Sequence, residues 1–595
     1  MSSTLPKARF WDNLIPLRAG LDGVQLAGWT PGPPVRKGLG CVLHADQMIP
    51  VAEGIALAAD IYTPKQPGRY PAVVLFSAYS KELQASGAPT GTNEIGSAPV
   101  FTDRGYVHMT VTRRGMGRSQ GESVLFFNGI DVKDHAEVIA WAAAQPWCDG
   151  RVVLFGTSYF GITQAQVAAM QPPALKGFFS IEMCTDYFRQ IVMFGGAPQT
   201  DFLTLWMGAN FSEAQFKLRV PPLVRALASQ VLNSPLRHWW RPWIGKRMTR
   251  LQDWFKTMTP TEPMRGLFAS WVLDGKTRAA NSVPAGPSPE LGNITVPFVV
   301  AQNPGHFNLH QFGGYDLFEN AGTPRDRKWL IISEAEYELP AYHWQIEALA
   351  FFDHILSGAA NGYAAQAPVR YWIEGANEFR RAADFPIPGS RPVRFYLASG
   401  GADATIHRLS SKANETGENC WAAVPKGATI VPGFDQVANQ LLSYEAAIDA
   451  DVEFSGPVTA NLRFSCNEID SHVVARLGRI DRTGAFHLLS LGTIRPACRK
   501  IDTGRSTAIE IAIDIDVPQP LVPGESVILR FSLTPQPVLL KAGERLRFDV
   551  GSRTDLLRSD VSHGRAQFDM QVPPYFSRNT VHYGPDSYVE LSHVT

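Results

Sequence analysis

The chain has 595 residues, 45% of them apolar and 18% charged. With 55 basic and 55 acidic residues its formal net charge is zero, which gives no basis for a nucleic-acid or membrane-surface partner. The length predicts several domains around a large core, no apolar run reaches the roughly 18 to 20 residues of a membrane span, and the N-terminus has no continuous apolar stretch of the signal-peptide kind.

Residues 1–45 read as an irregular N-terminal arm, with "GWTPGPPVRKGLG" as its loop signal. From Met48 the pattern changes. "MIPVAEGIALAADIYTP" alternates around a Glu-Gly turn and predicts a hairpin. "YPAVVLFSAYS" predicts a short buried strand, and "YVHMTVTRRG" another, ending in the glycine-rich loop "RGMGRSQGE". In "GIDVKDHAEVIAWAAAQP" the apolar residues Val132, Ala136, Ile139 and Ala140 recur at helical spacing. "RVVLFGTSYFGITQAQVAA" then runs strand, tight turn, helix, and "LKGFFSIEMC" returns to strand. Strands separated by helices predict a mostly parallel α/β sheet.

Residues 186–290 break that rhythm. They hold Trp206, Trp239, Trp240, Trp243, Trp254 and Trp271 and read as an inserted helical cap. These tryptophans either line an acyl or aromatic pocket or pack helices on one another. "ITVPFVVAQNPG" and "RKWLIISEAEYE" resume the sheet, and "HWQIEALAFFDHILSG" closes it with a helix. From about residue 386 short alternating runs such as "PVTANLRFSC" and "SVILRFSLTP", punctuated by Gly and Pro, predict an all-β sandwich reaching residue 595. The α/β body is thus assigned to 46–185 and 291–385.

The chemistry centres on "GTSYFG". A serine between glycines at a strand-to-helix turn fits a nucleophile elbow. The glycines remove Cβ atoms that would clash at a sharp turn, and the helix N-terminus favours developing negative charge. Ser158 is the candidate nucleophile, and the backbone N–H of Tyr159 one donor to an oxyanion. A bare match is a weak signal, but the strand before it, the helix after it and the surrounding α/β rhythm strengthen it.

The stretches "TRRGMGRSQGE", "AAQPWCDGRVVLFGTSYFGITQ", "FFDHILSGAANG" and "APVRYWIEGANEFRRAADFP" resemble the cocaine esterase / X-prolyl dipeptidyl-peptidase family of serine hydrolases. The resemblance covers nearly the whole length. It includes the elbow, in which Phe160 precedes the second glycine, Gly161. It implies an α/β-hydrolase core, a helical cap and a C-terminal jelly-roll domain. It also implies a tyrosine hydroxyl as second oxyanion donor, and "SAYSK" places Tyr79 there.

The base and the acid depart from the family pattern. The family's acid lies in a Gly-Trp-x-Asp loop after the strand written here "VPFVV", and its histidine in a Gly-Pro-Trp-x-His loop after "KWLII". Neither motif is present. "AQNPGHFNLH" sets His306 near the aspartate position, and "SEAEYELPAYH" sets Tyr337 near the histidine position.

Three arrangements compete. In the first the roles are exchanged between loops, with His310 or His306 as base and Glu334 or Glu336 as its acid. This is chemically sufficient, because the base must touch the serine and the acid must hold its tautomer, whatever the chain order. "NPGHFNLH" resembles a divergent branch of the family with an Asn-x-Gly and Leu-His pattern there, which favours His310. In the second the base is His343, backed by Asp316 or a glutamate. In the third the histidines are structural and the chain is a non-catalytic binding protein.

The reading taken forward is a serine hydrolase of carboxylic esters or amides working through an acyl-enzyme. Its residues are Ser158, His310, Glu334 or Glu336, Tyr79 and Tyr159. An X-prolyl dipeptidyl aminopeptidase is the alternative within the class.

Neither a metal nor an organic cofactor is expected. His306 and His310 are four apart, but the preceding Asn-Pro-Gly predicts a loop, and there is no His-Glu-x-x-His. "GMGRSQG" has the wrong final spacing for a dinucleotide loop. Cys41, Cys148, Cys184, Cys420, Cys466 and Cys498 lack Cys-x-x-Cys spacing, which fits reduced thiols in a cytoplasmic protein. The partner expected is a small-molecule ester or amide, and a homo-oligomer stays open.

Overall fold

The computed structural model describes residues 27–79, 81, 84, 94–122, 129–211, 257, 265, 289–305, 309–334, 340–401, 404–424, 440–553, 570 and 576–595. A ten-stranded sheet forms the body. Its strands are β1 (Val42–Pro50), β2 (Ala56–Thr63), β3 (Tyr70–Ser77), β4 (Val107–Thr112), β5 (Cys148–Thr157), β6 (Leu175–Ile181), β7 (Phe298–Gln302), β8 (Lys328–Ile332), β9 (Val369–Ile373) and β10 (Glu378–Ala382). Their order is β1-β2-β4-β3-β5-β6-β7-β8-β9-β10. The pairs from β4 through β3 to β9 are parallel, while β1, β2 and β10 join antiparallel.

Every residue of β3, β7 and β8 is buried, with no polar-out alternation. Parallel strands read this way because helices cover both faces of the sheet. The helices here are α1 (Ala98–Thr102), α2 (Gly129–Ala143), α3 (Tyr159–Ala168), α4 (Thr200–Phe211), α5 (Gly313–Asn320) and α6 (Pro340–Ser357). α6 packs on the sheet through Trp344 and Phe351, whose rings lie 6.4 and 6.5 Å from that of Phe179. A Cβ at Gly177 would come within 2.5 Å of Ile355, so β6 needs a glycine where this helix crosses it.

Two local readings are corrected. β1 starts at Val42, inside the stretch read as arm. In α2 the periodicity of Val132, Ala136, Ile139 and Ala140 misplaces the inward face: Ala140 is exposed, and Asp131, Asp134 and His135 are buried instead. The reason is electrostatic. Asp131 pairs with Arg113 at 2.9 Å and Asp134 with Arg114 at 2.7 Å, both arginines belonging to the loop after β4. Buried carboxylates and guanidiniums are tolerated only as such pairs, so two ion pairs set the helix's rotation. The glycine-rich loop "RGMGRSQG" closes on itself, Gly115 N–H donating to the Gln120 carbonyl at 3.0 Å.

The arm's described part, from residue 27, lies on the body: Gly32 N–H meets the Asn361 carbonyl at 2.9 Å and Val35 N–H meets Asp353 at 3.1 Å. Most of the stretch read as a cap lies outside the described residues. The C-terminal region is a jelly-roll-type β domain, its strands running from Arg391–Ala398 to Tyr588–Val594. Its longest strand, Val452–Cys466, pairs with four others. The domain grips the body through the segment after β6. There Arg189 is ion-paired with Glu510, and Arg495 N–H donates to the Gly195 carbonyl at 2.7 Å. A Cβ at Gly195, where φ is +62°, would fall 2.3 Å from the Thr493 carbonyl oxygen, so the close approach of the two domains depends on this glycine. All six thiols are free. No helix among the described residues is long and apolar enough to cross a membrane.

Candidate active site

The site forms where β3, β5, β6 and β7 end along the carboxyl edge of the sheet, the usual ligand edge of an open α/β sheet. Ser158 follows β5 and opens α3. Its φ of 58° and ψ of −116° are a strained backbone for a residue with a side chain. Two glycines make the turn possible. A Cβ at Gly156, whose φ is +139°, would lie 2.6 Å from Phe160 Cβ. One at Gly161 would lie 2.8 Å from Ser180 Oγ and 3.0 Å from the Ile181 carbonyl oxygen. The serine's own N–H donates to that Ile181 carbonyl at 2.9 Å, which ties the elbow to β6.

His310 reaches the serine from the loop after β7. Its Nε2 lies 3.2 Å from Ser158 Oγ. His310 is 4% exposed and has a φ of 59°, a second strained non-glycine backbone at the site. The loop is held by its own polar groups. Gly305 N–H donates to Asn303 Oδ1 at 2.7 Å, Gln311 Nε2 donates to the Leu309 carbonyl at 2.9 Å, and Gln302 donates its side-chain N–H to the His310 carbonyl. Just beyond, a Cβ at Gly313 would lie 2.3 Å from Cys184 Cα and 2.7 Å from the Met183 carbonyl oxygen. Gly313→Ala is therefore expected to cost ~1–3 kcal/mol of stability, the usual price of overpacking, and to shift the loop that carries His310. Differential scanning calorimetry beside an ester assay checks both effects, and an unchanged transition with unchanged turnover would show that the loop yields freely.

Tyr79 follows β3. Ser77 Oγ cinches its loop, accepting from Tyr79 N–H and donating to the Tyr79 carbonyl, both at 2.9 Å. Lys81 anchors the loop's far side, 2.7 Å from Asp46 and 2.8 Å from Asp60, with 2% of its side chain exposed. The Tyr79 ring packs beside Tyr159 and Phe160, at 6.1 and 6.2 Å between centroids. Its hydroxyl accepts from Trp206 Nε1 at 3.2 Å. Burial, followed by the charge of Glu94, pushes this phenol well above the ordinary tyrosine range, so it stays a protonated donor at neutral pH. Tyr159, directly after Ser158, donates its hydroxyl to Asp131 at 3.3 Å, which links the elbow to the buried Arg113 pair.

The remaining sequence candidates fall elsewhere. Glu334, after β8, lies 3.6 Å from His343 Nε2 on α6. That separation exceeds a hydrogen bond, and burial pushes His343 down to about 4 while raising Glu334. The contact is therefore not a charged pair at neutral pH. Asp316 accepts from Thr185 Oγ1, and from Asn320 Nδ2 at 2.7 Å, on the side facing the β domain. His306, Glu336 and Tyr337 lie outside the described residues. Of the cap tryptophans only Trp206 is described, and it meets the Tyr79 hydroxyl. No cluster of three potential metal ligands occurs among the described residues.

The model for X-Pro dipeptidyl-peptidase (S15 family) matches residues 53–335, and that for the X-Pro dipeptidyl-peptidase C-terminal non-catalytic domain matches residues 361–590. The body of the chain thus matches the S15 family and the rest its C-terminal domain. It is 26% identical over 535 residues to cocaine esterase of Rhodococcus sp. (strain MB1 Bresler), covering 82% of this chain and 89% of that one. Its fold matches a CocE/NonD family hydrolase from Staphylococcus aureus, with a TM-score of 0.69, 20% identity and coverage of 93% and 94% of the two chains. It also matches an aminopeptidase from the marine sediment archaeon Thaumarchaeota archaeon, with a TM-score of 0.64, 17% identity and coverage of 97% and 99%. The chain is a serine hydrolase with an α/β-hydrolase core and a C-terminal β domain.

Three residues at the site escaped sequence reasoning. Glu94 and Glu182 are buried beside the elbow, and Asp131 holds Tyr159. Glu94 stands in the Gly- and Thr-rich "GTNEIG", which carries no periodic signal, and Glu182 is one acid in "SIEMC" at the end of a strand. The "RRG" followed by two aspartates three apart was the legible hint for Asp131 and Asp134, since two buried arginines demand two acids.

Proposed function

We propose that this chain hydrolyses carboxylic esters of small molecules through an acyl-enzyme on Ser158, with His310 as general base. The observation that carries the reading is the 3.2 Å approach of His310 Nε2 to Ser158 Oγ at the tip of a strained elbow. With Nε2 unprotonated, the serine hydroxyl donates to it, and that proton passes to His310 as Oγ adds to the ester carbonyl. The carbonyl oxygen becomes an oxyanion, held by the Tyr79 hydroxyl and the Tyr159 N–H. Collapse breaks the ester C–O bond, and His310 gives its proton to the departing alkoxide. Water then repeats the sequence on the acyl-serine, with His310 again as base, and the carboxylic acid leaves.

The acid is assigned to the loop after β8. Glu334 is a poor counter-charge, because burial raises its pKa and it sits against His343. Glu336, the other glutamate assigned to that loop from the sequence, lies outside the described residues. Chain order would then be serine, histidine, acid, which the mechanism allows because only the spatial contacts enter it.

A panel of p-nitrophenyl esters and X-Pro p-nitroanilides, with fluorophosphonate labelling read by peptide mass spectrometry, tests the reading. Ester turnover with the label on the Ser158 peptide is the expected result. Faster turnover of X-Pro anilides would move the substrate class to dipeptides, the activity in the matching family's name. Absence of both turnover and label would favour a binding protein on the hydrolase fold.

A further inference from the structure

A chain of buried contacts runs from the C-terminal β domain to the loop that carries His310, and acyl transfer as described does not use it. Its outer end is Glu510, which is 8% exposed and crosses the domain junction to two residues of the body. One carboxylate oxygen is ion-paired with Arg189, itself 7% exposed. The other accepts from Gln190 Nε2 at 3.2 Å. On its own side Glu510 is fixed by its backbone N–H, which donates to Thr507 Oγ1 at 3.0 Å.

Gln190 passes the contact inward. It is buried, and its Oε1 accepts from the N–H of Thr185 at 3.0 Å and of Asp186 at 3.3 Å. One end of a single amide therefore holds the backbone that follows β6, while the other end donates to the β domain. The base loop rests on that backbone. A Cβ at Gly313 would come within 2.3 Å of Cys184 Cα, and Thr185 donates its hydroxyl to Asp316 on α5. Gly313 and Asp316 stand three and six residues after His310.

Two further contacts bear on the same segment. Phe312, two residues after His310, stacks on Phe194 with 6.2 Å between ring centroids, and the next residue, Gly195, accepts from Arg495 N–H of the β domain at 2.7 Å. At the far end of α5, the Glu319 carboxylate accepts from Ala508 N–H at 3.2 Å. This buttressing answers a need at His310. Its φ of 59° is a strained backbone, which persists only where the surroundings over-determine it. A shift of about 1 Å at a reacting group can cost about 10²-fold in rate. Among these contacts, the Glu510 carboxylate is the one buried charge with both oxygens engaged, so its direction is the most firmly set.

We propose that Glu510 of the β domain is a positioning residue for the general base, acting through Gln190 on the backbone after β6 and so on the loop that aims His310 at Ser158. The proposal rests on the assignment of His310 as base. It makes the C-terminal domain a part of the catalytic scaffold without placing any of its atoms on the substrate.

The test is kcat and KM for a p-nitrophenyl ester, measured well below each variant's thermal transition, in wild type, Gln190→Glu, Gln190→Glu/Glu510→Gln, His310→Ala and Gln190→Glu/His310→Ala. Gln190→Glu keeps acceptors for Thr185 and Asp186 but sets a second carboxylate against Glu510. It is expected to lose ~10- to 100-fold in kcat at nearly constant KM, as for a displaced rather than a missing base. The exchanged pair Gln190→Glu/Glu510→Gln restores one amide and one carboxylate across the junction, and its kcat is expected to return to within a few-fold of wild type. In the His310→Ala background Gln190→Glu should cost nothing further, because it acts through the imidazole. A lowered thermal transition with unchanged kcat would make the junction structural only and overturn the proposal. So would an exchanged pair that does not recover, or an undiminished loss in the His310→Ala background, and each of these leaves the serine-hydrolase reading intact. A His310→Ala variant with wild-type kcat would overturn the base assignment and the proposal together. Gln190→Met removes the amide without adding charge, carries the same expected loss, and keeps the test decisive if Gln190→Glu does not fold.

Discussion

His310→Ala is expected to lower kcat for activated esters by about 10⁴- to 10⁶-fold, the range seen when one member of a serine triad is removed. Ser158→Ala should fall equally far, and the double variant no further, because serine and base act as one unit. The physical reason lies in the nucleophile. A serine hydroxyl is a weak nucleophile at neutral pH, and its proton must leave as the bond to carbon forms. His310 Nε2, 3.2 Å from Oγ, is the acceptor in place for it. What remains after its removal is the rate given by binding and the oxyanion donors.

His343→Ala supplies the contrast. His343 faces Glu334 at 3.6 Å on α6, and burial keeps it neutral. Its loss should leave ester turnover within a few-fold of wild type. Steady-state kinetics and fluorophosphonate labelling of the three single variants measure this directly. Labelling that survives in His310→Ala and vanishes in His343→Ala would restore the family's usual chain order and sink the exchanged-loop arrangement.

Tyr79→Phe is the second large effect, with kcat expected to fall about 10²- to 10³-fold at nearly constant KM, or roughly 3–4 kcal/mol of transition-state stabilisation. A split of this kind marks an interaction made only as charge develops on oxygen. The ground-state carbonyl is a modest acceptor, whereas the tetrahedral oxyanion carries a full charge in a site walled by buried rings. The hydroxyl is preorganised for it. The tyrosine loop is fixed by Ser77 and Lys81, and Oη accepts from Trp206. A donor that need not reorient at the moment of reaction contributes more than the same donor in water. If KM rose instead and kcat stayed level, Tyr79 would be a substrate contact rather than an oxyanion donor.

Local patterns were enough for the architecture. The buried runs "YPAVVLFS" and "KWLII" announce parallel strands because both their faces are covered, and "GTSYFG" announces the elbow because only glycines tolerate that turn. The β domain shows in its short alternating runs. These signals come from neighbours along the chain, where the period of side chains and the allowed backbone angles leave few choices.

The α2 face was misjudged because periodicity weighs apolar residues and cannot see an arginine arriving from another loop. Arg113 and Arg114 turned Asp131 and Asp134 inward. The sequence by itself determined the fold and the class of chemistry, since each depends on residue types held close in the chain. Which histidine meets the serine only the tertiary structure decided. Ser158 and His310 are 152 residues apart. Their approach follows from the sheet order β5-β6-β7 and from where strained backbone at Ser158 and His310 aims each side chain.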